Sequence, residues 1–519
     1  MRVRRALLSA FQKEGLEELA SALTEAGAEI LSSGGTAEWL RMRGFAVISL
    51  EDWAGLASMF GGRVKTLHPR VHGGILYRRG VPEDEAERIP HGIEPIDMVV
   101  VHLYPFEETI ARRPDDREGA IEMIDVGGPA MLRAAAKNHR SVVVVSDPRD
   151  YARVARALRE GAGSIDESMA AELAARAFRA TALYDAAIAS YLGDGEGGLP
   201  DSIVRGGSLL WELRYGENPS QRGAFYGPAR GFPGGLEKLQ GKEISFNNLQ
   251  DLEAAISLVR DLGPDPAAAV IKHATPCGAA TRPDLADAFR RARDCDLLSA
   301  FGGIVALNGV VDAACADEIG GIFLEAVAAP AFDPQARKRL ESKKSLILLQ
   351  GDPGLFFNAE GPRSPYAFRD LGAGILLQDR IPLRLGESGW RTVTRRPPTV
   401  EEERVLLFAW KVVRAVRSNG IVLAMEDRAI GIGGGQTSRI DSLWIAMHKA
   451  RRAGHRLKGA VMASDAFFPF PDCVEEAAKA GVTAVIHPGG SKRDTESIEA
   501  ADRWGMAMVL NDARCFRHG

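Results

Sequence analysis

Ala267–Ile271 is an unbroken run of small and β-branched side chains that stops at Lys272-His273. A run that is apolar at every position suits a strand buried on both faces, the kind found in the sheet of an α/β layer. Pro276 and Gly278 then predict a turn, which leaves the two basic side chains at a strand's exit. In open α/β sheets, ligands bind in crevices outside the carboxyl ends of the strands. A lysine beside a histidine offers a fixed positive charge and a group that titrates near neutrality. Taken alone, the pair reads first as a surface lysine beside a hydrogen-bonded histidine. Other residues of the same kind recur elsewhere in the chain.

At 519 residues the chain exceeds one hydrophobic core and divides into roughly two to four domains. Its 45% apolar and 26% charged residues are ordinary for a globular protein. A net charge of −4 gives no reason to expect nucleic acid or a membrane as partner. No apolar run approaches the about 20 residues of a membrane span, and the N-terminus lacks a signal-peptide core, so the expected location is cytoplasmic. The five cysteines are scattered without a CxxC pair, which argues against a disulfide framework or structural zinc.

Strands alternate with helices from the start. Arg4–Ser9 reads as a strand, Leu16–Ala26 as an amphipathic helix and Ala28–Leu31 as a second strand. That strand runs into Ser32-Ser33-Gly34-Gly35-Thr36 before a helix predicted from Ala37. A hydroxyl- and glycine-rich turn at a helix start suits a phosphate, although most such turns only reverse the chain. Two glycine pairs then flank Arg63, Lys65, His68, Arg70 and His72, whose mutual repulsion an anionic ligand would relieve. Tyr104 follows the strand Met98–Val101, and Asp125 precedes Gly127-Gly128-Pro129 and a helix predicted over Ala130–Lys137. An acid before a helix N-terminus is favourable as a cap alone. The glycine-rich, acidic stretch Gly193–Pro200 reads as a linker and sets expected domains of 1–196 and 209–519.

In the second part, Asn247-Asn248 is expected to precede a helix over Leu249–Asp261, and another is expected over Val405–Val416. Ser418-Asn419-Gly420 leads into a strand at Ile421–Met425. The run Gly431-Ile432-Gly433-Gly434-Gly435 is a poor dinucleotide fingerprint, because no acid ends a following strand. Strand–turn–helix units recur near 267–305 and 461–510, suggesting two similar lobes without a clean sequence repeat.

The pieces SGGTA, GGRVKTLHPRVHGGI, LYPF, IDVGG, RAAAKNH, RYGENPSQ, IKHATPCG, SAFGG, RSNGIVLA, GIGGGQTSRID, SDAFFPFPD and the terminal FRH stand in that order. Together they resemble the AICAR transformylase/IMP cyclohydrolase family, AICAR being the ribonucleotide of aminoimidazole carboxamide. The resemblance implies an α/β protein: a methylglyoxal-synthase-like parallel-sheet domain, then a two-lobed cytidine-deaminase-like α/β region without the deaminase zinc. It implies formyl transfer from 10-formyltetrahydrofolate to AICAR, then closure of formyl-AICAR to IMP, with no metal. By match, Lys272, His273 and Asn419 carry the transfer, while Arg214, Tyr215, Phe301, Gly302, Arg439, Asp465, Phe516 and His518 shape the nucleotide and folate sites. Lys65, Tyr104, Asp125 and Lys137 match the cyclohydrolase residues. Lys13, Ser33, Gly34, Gly35, Thr36, Arg63, Thr66, Gly127 and Gly128 match its substrate cradle. A homodimer is implied as well.

The first loop departs from the family pattern S-x-S-D-K-T-G. Here it reads Ser9-Ala10-Phe11-Gln12-Lys13-Glu14-Gly15, keeping the lysine and losing two hydroxyls and an acid. Two alternatives follow: a nucleotide-binding regulatory protein, or an enzyme with the transformylase half alone active.

Overall fold

Along the strand Met98–His102, Met98 and Val100 join one hydrophobic core while Val99 and Val101 join another. Successive side chains of a strand point to opposite faces, so an all-apolar strand requires helices on both. The computed structural model describes residues 1–55, 57, 59–104, 106–113, 116–193, 198–227, 235–357, 366–380 and 389–518. It falls into two units, Met1–Gly207 and Ser208–Gly519. Residues 194–197 of the expected linker, including its boundary at 196, lie outside the described residues.

The first unit holds a parallel sheet in the order Ile48–Ser49, Glu29–Ser32, Arg5–Ala10, Met98–His102, Val143–Val145. Leu16–Glu25 and Tyr151–Glu160 cover one face, and Pro69–Leu76 and Gly127–Lys137 the other. Because the strands are parallel, their carboxyl ends share one edge. Phe11–Lys13, Ser33–Thr36 and His102–Tyr104 all leave the sheet there.

The second unit is built on a twelve-stranded mixed sheet. Its centre is an internal repeat. Helix Phe246–Leu262, hairpin Ala267–Lys272/Thr275–Thr281 and helix Leu285–Asp294 precede the strands Ile304–Leu307, Ala326–Ala329 and Ile347–Gly351. Helix Val400–Val413, hairpin Ile421–Met425/Arg428–Gly433 and helix Arg439–Arg452 then precede Val461–Ser464, Ala484–His487 and Ala507–Leu510. In each copy the first strand of the hairpin is antiparallel to both neighbours and the last three strands are parallel. Ala280 pairs with Arg428 where the two copies meet.

Two expectations change. Pro276 and Gly278 lie inside the strand Thr275–Thr281, and the turn is His273-Ala274, both at φ 55°. Two left-handed residues make the hairpin turn whose twist matches that of the strands. Gly278 serves close packing instead: a Cβ there would collide with the Ala292 carbonyl of the next helix. In the second copy Gly431 and Gly433 are likewise strand residues, pressed against the carbonyls of Ala446 and Ser442. Helices also start earlier than expected. Asn247 and Asn248 lie within Phe246–Leu262, whose capping box pairs Ser245 with Asn248. The other early starts are at Gly34, Gly127 and Val400.

Candidate active sites

The tight hairpin turn leaves Lys272 and His273 at the end of a buried strand. The Lys272 ammonium donates to the Phe301 carbonyl at 2.8 Å. Phe301 opens a tight turn in which Gly302, at φ 72°, donates to the Phe323 carbonyl, and the two phenyl rings lie 5.3 Å apart. Both rings are exposed, so an apolar wall flanks the ammonium. Below His273, the Asp251 carboxylate accepts the backbone N–H groups of His273 at 3.3 Å and Ala274 at 2.5 Å. Burial pushes the Asp251 carboxyl above its ordinary range, against the opposing pull of those N–H groups. The sequence points to His273 but gives no sign of Asp251. An acid between the buried Leu249 and Leu252 is the trace it leaves.

Ala268, Ala280, Arg428 and Met425 form one row across four adjacent strands. Lys272 and Ile421 therefore end at the same edge, about 14 Å apart at three strand spacings. Asn419 precedes Ile421 and is fully engaged. Its amide donates to the carbonyls of Gln436 (3.0 Å) and Thr437 (3.3 Å), and its oxygen accepts from Arg439 at 2.7 Å. Arg439 is buried and also donates to Asp465 at 2.5 Å, while Asp465 accepts the Ser418 hydroxyl at 2.6 Å. Arg439 and Asp465, expected among the substrate contacts, form a buried pair, and Arg439 holds Asn419. A buried ion pair of this kind is costly to break from one side. The tail joins the same network: Arg517 N–H donates to the Ser418 hydroxyl at 3.0 Å, placing Phe516 and His518 beside it. Those two rings lie 5.3 Å apart. Arg214 donates to the Tyr215 hydroxyl at 2.7 Å and lies over that ring.

In the first unit the Lys65 ammonium lies against Gly34, at φ 53°, where a Cβ would collide with it. Ser33, the N-cap residue of Gly34–Arg41, makes no side-chain cap, and Lys65 lies at the same helix end. Such an end attracts an anion. Thr36 has a different task. Its hydroxyl bridges the N–H and carbonyl of Ala10 at 3.1 Å each, pinning the helix to the strand end. Lys13 reaches the Phe11 carbonyl at 3.4 Å, and the Phe11 ring packs edge-on against Tyr104 at 5.5 Å. Thr66 abuts Gly127, and Gly128 N–H donates to Asp125 at 2.8 Å. Tyr184, which the sequence reading missed, accepts the Asp125 N–H at 2.7 Å. Burial raises the Asp125 carboxyl's affinity for its proton, opposed by the N–H groups of Gly128 and Gly127.

The basic cluster does not converge as expected. Arg63 pairs with Glu122 in the open, His68 caps its own helix and Arg70 donates to the Ala54 carbonyl. Lys137 ends the helix that Gly127 begins, about 15 Å farther along its axis. Among the described residues no group of three or more His, Cys, Asp or Glu could hold a metal ion, and no helix is long and apolar enough to cross a membrane.

Over residues 135–449 the chain matches the family described as AICARFT/IMPCHase bienzyme, and over residues 15–130 the MGS-like domain. It is 48% identical over 537 residues, 100% of each chain, to the bifunctional purine biosynthesis protein PurH of Magnetococcus marinus. The chain belongs to the AICARFT/IMPCHase bienzyme family. PurH of Myxococcus xanthus is 48% identical over 518 residues, covering 99% of this chain and 100% of that one. A crystal structure titled ForH shares 38% identity over 36% of this chain and 96% of its own, with a TM-score of 0.34. The MGS-like match falls on the parallel-sheet unit, and the bienzyme match runs through most of the internal repeat. In this bienzyme chain the two edges just described are therefore the places to look for two chemistries.

Proposed function

We propose that residues 208–519 transfer a formyl group from 10-formyltetrahydrofolate to the 5-amino group of AICAR, and that residues 1–207 close formyl-AICAR to IMP with loss of water. As a member of this family the protein is a bifunctional formyltransferase and cyclohydrolase of purine biosynthesis. The amine of AICAR is a weak nucleophile because its lone pair is delocalised into the imidazole and carboxamide. Attack on the formyl carbon needs a proton acceptor and stabilisation of the resulting oxyanion. In this reading His273 takes the proton and Lys272 supplies charge at the formyl group and folate nitrogen. Asn419, held by Arg439, orients the reacting atoms. The observation that carries the reading is the left-handed turn tied to Asp251, which holds a lysine and a histidine together at one sheet edge.

For ring closure, Lys65 and the N-terminus of Gly34–Arg41 would hold the phosphate, and Tyr104 and Asp125 would serve acid–base chemistry. Lys137 stands too far along its helix to join Asp125 within one chain. In a homodimer it would act from the second copy. We place the enzyme in the cytoplasm. Full-length protein supplied with AICAR and the formylfolate, and separately with formyl-AICAR, should yield IMP in both assays. Failure of both would overturn the reading.

Two variants probe the supporting residues. Asp251→Ala removes the acceptor of two N–H groups and frees the left-handed turn that they hold. Formyl-transfer kcat should fall at least about tenfold with AICAR affinity and cyclisation kept, and Asp251→Asn, retaining one acceptor, should lie between. Equal activity in the alanine variant would remove Asp251 from the mechanism. Lys13→Ala should raise KM for formyl-AICAR by about tenfold, about 1.4 kcal/mol, with kcat little changed. An unchanged KM would exclude Lys13 from the phosphate site.

A further inference from the structure

The repeat gives the transformylase corner a counterpart at the opposite edge of the sheet. There the hairpin turn is Glu426-Asp427, again left-handed at φ 52° and 55°, and Met425 stands where the first copy has Lys272. Arg404 of the second copy's helix pairs with Asp427, as Asp251 of the first copy's helix holds the His273-Ala274 turn. The second corner has thus lost the lysine–histidine pair and inverted its charge.

Beside this corner lies a cleft of about 290 Å³ lined by Arg428, His455 and Arg456. Arg282 and Arg291 adjoin Arg428, and both are already matched. Arg282 Nε donates to Asp287 at 3.1 Å and its Nη1 to the Glu426 carbonyl at 3.1 Å. Arg291 Nε donates to Asp287 at 2.9 Å and its Nη1 to the Glu426 carboxylate at 3.2 Å. Arg290 also reaches Asp287 and is offset by Glu318 at 3.7 Å. Arg428 has no such partner. Its Nε is buried without a hydrogen bond among the described residues, and burial with the charges of Arg291 and Arg282 weakens its hold on its proton, against the pull of Glu426 and Asp287. His455 stays in place by its ring contact with the Asp294 carbonyl at 3.1 Å.

Arg282, Arg291 and Arg428 therefore stand around two carboxylates, those of Asp287 and Glu426, and Arg456 adds a fourth guanidinium to the lining of the cleft. A buried guanidinium Nε with no acceptor is expensive, and a planar fork matches the oxygens of a phosphate. A dianion would cancel the excess of two charges and supply the missing acceptor. The cleft is near the lower end of small-ligand pocket sizes. From these observations we infer that the cleft between Arg428, His455 and Arg456 is a binding site for a phosphate dianion, free or as a monoester, separate from both catalytic edges.

Titration calorimetry on the full-length protein in phosphate-free buffer tests this, with inorganic phosphate in one arm and ribose 5-phosphate in the other. The two catalytic edges also take phosphates, so stoichiometry is the readout. The native protein should bind one more equivalent per chain than Arg428→Gln, while both enzymatic rates stay the same in that variant. A difference seen with inorganic phosphate alone assigns the site to the free ion, and a difference in both arms admits the ester. Equal stoichiometry in the two proteins overturns the site. Should Arg428→Gln fail to fold, the exposed Arg456→Gln replaces it, with an expected loss of affinity of at least about threefold in the same binding event. Unchanged affinity there overturns the site equally.

Discussion

Replacing His273 with alanine is expected to lower formyl transfer by about two to four powers of ten and to leave cyclisation of supplied formyl-AICAR at its native rate. The magnitude is that of removing a positioned proton acceptor from a reaction whose nucleophile cannot ionise unaided. The selectivity follows from architecture. His273 belongs to the unit Ser208–Gly519, and Lys65, Tyr104 and Asp125 belong to Met1–Gly207. Separately packed units rarely transmit the loss of one exposed side chain. The substitution is also gentle on the fold. The ring is exposed, and what holds the turn is the backbone N–H of residue 273 on Asp251, which alanine retains. Both assays run on one preparation decide the matter. Parallel loss of the two activities in a folded variant would contradict two independent sites.

The alternation of apolar strands and amphipathic helices was legible because it depends on neighbours in the sequence. Glycine was harder to read. Gly278, Gly431 and Gly433 look like turn residues, yet each lets a helix carbonyl approach a strand, and only the packed structure supplies that carbonyl. The repeat was faint for a related reason. Its copies share hairpin, helix and strand order, but the residues that carry chemistry differ, so Lys272 corresponds to Met425 and Asp251 to Arg404. At the candidate sites, the residues expected to react could be singled out in the sequence while the groups that hold them could not. Asp251 reaches His273 from a preceding helix, and Tyr184 reaches Asp125 from the long helix Glu167–Gly193. Contacts of that length leave no local pattern. The same gap hid the partners of Thr36 and Arg63, since Ala10 and Glu122 are remote in sequence.

Replacing Lys272 with arginine should preserve AICAR affinity and lower formyl transfer by about two to four powers of ten. If the ammonium only offered charge to an anionic substrate, arginine would serve, since it remains charged and carries more donors. The surroundings argue for a narrower task. The ammonium is held by one bond of 2.8 Å to the Phe301 carbonyl, with Gly302 beside it and the Phe301 and Phe323 rings on its flank. A compact, rotatable ammonium meets that carbonyl and still has two protons to direct at a formyl oxygen or a folate nitrogen. A planar guanidinium on a longer stem would overrun the turn, and its fixed fork could not satisfy the carbonyl and the reacting atoms together. It also cannot give up a proton at neutral pH. Calorimetric titration with AICAR and a folate-absorbance assay of transfer, made on the same preparation, separate the two tasks. Intact affinity with lost turnover identifies Lys272 as a donor in the transition state. Turnover near the native value would reduce it to a binding charge and leave the proton chemistry to His273.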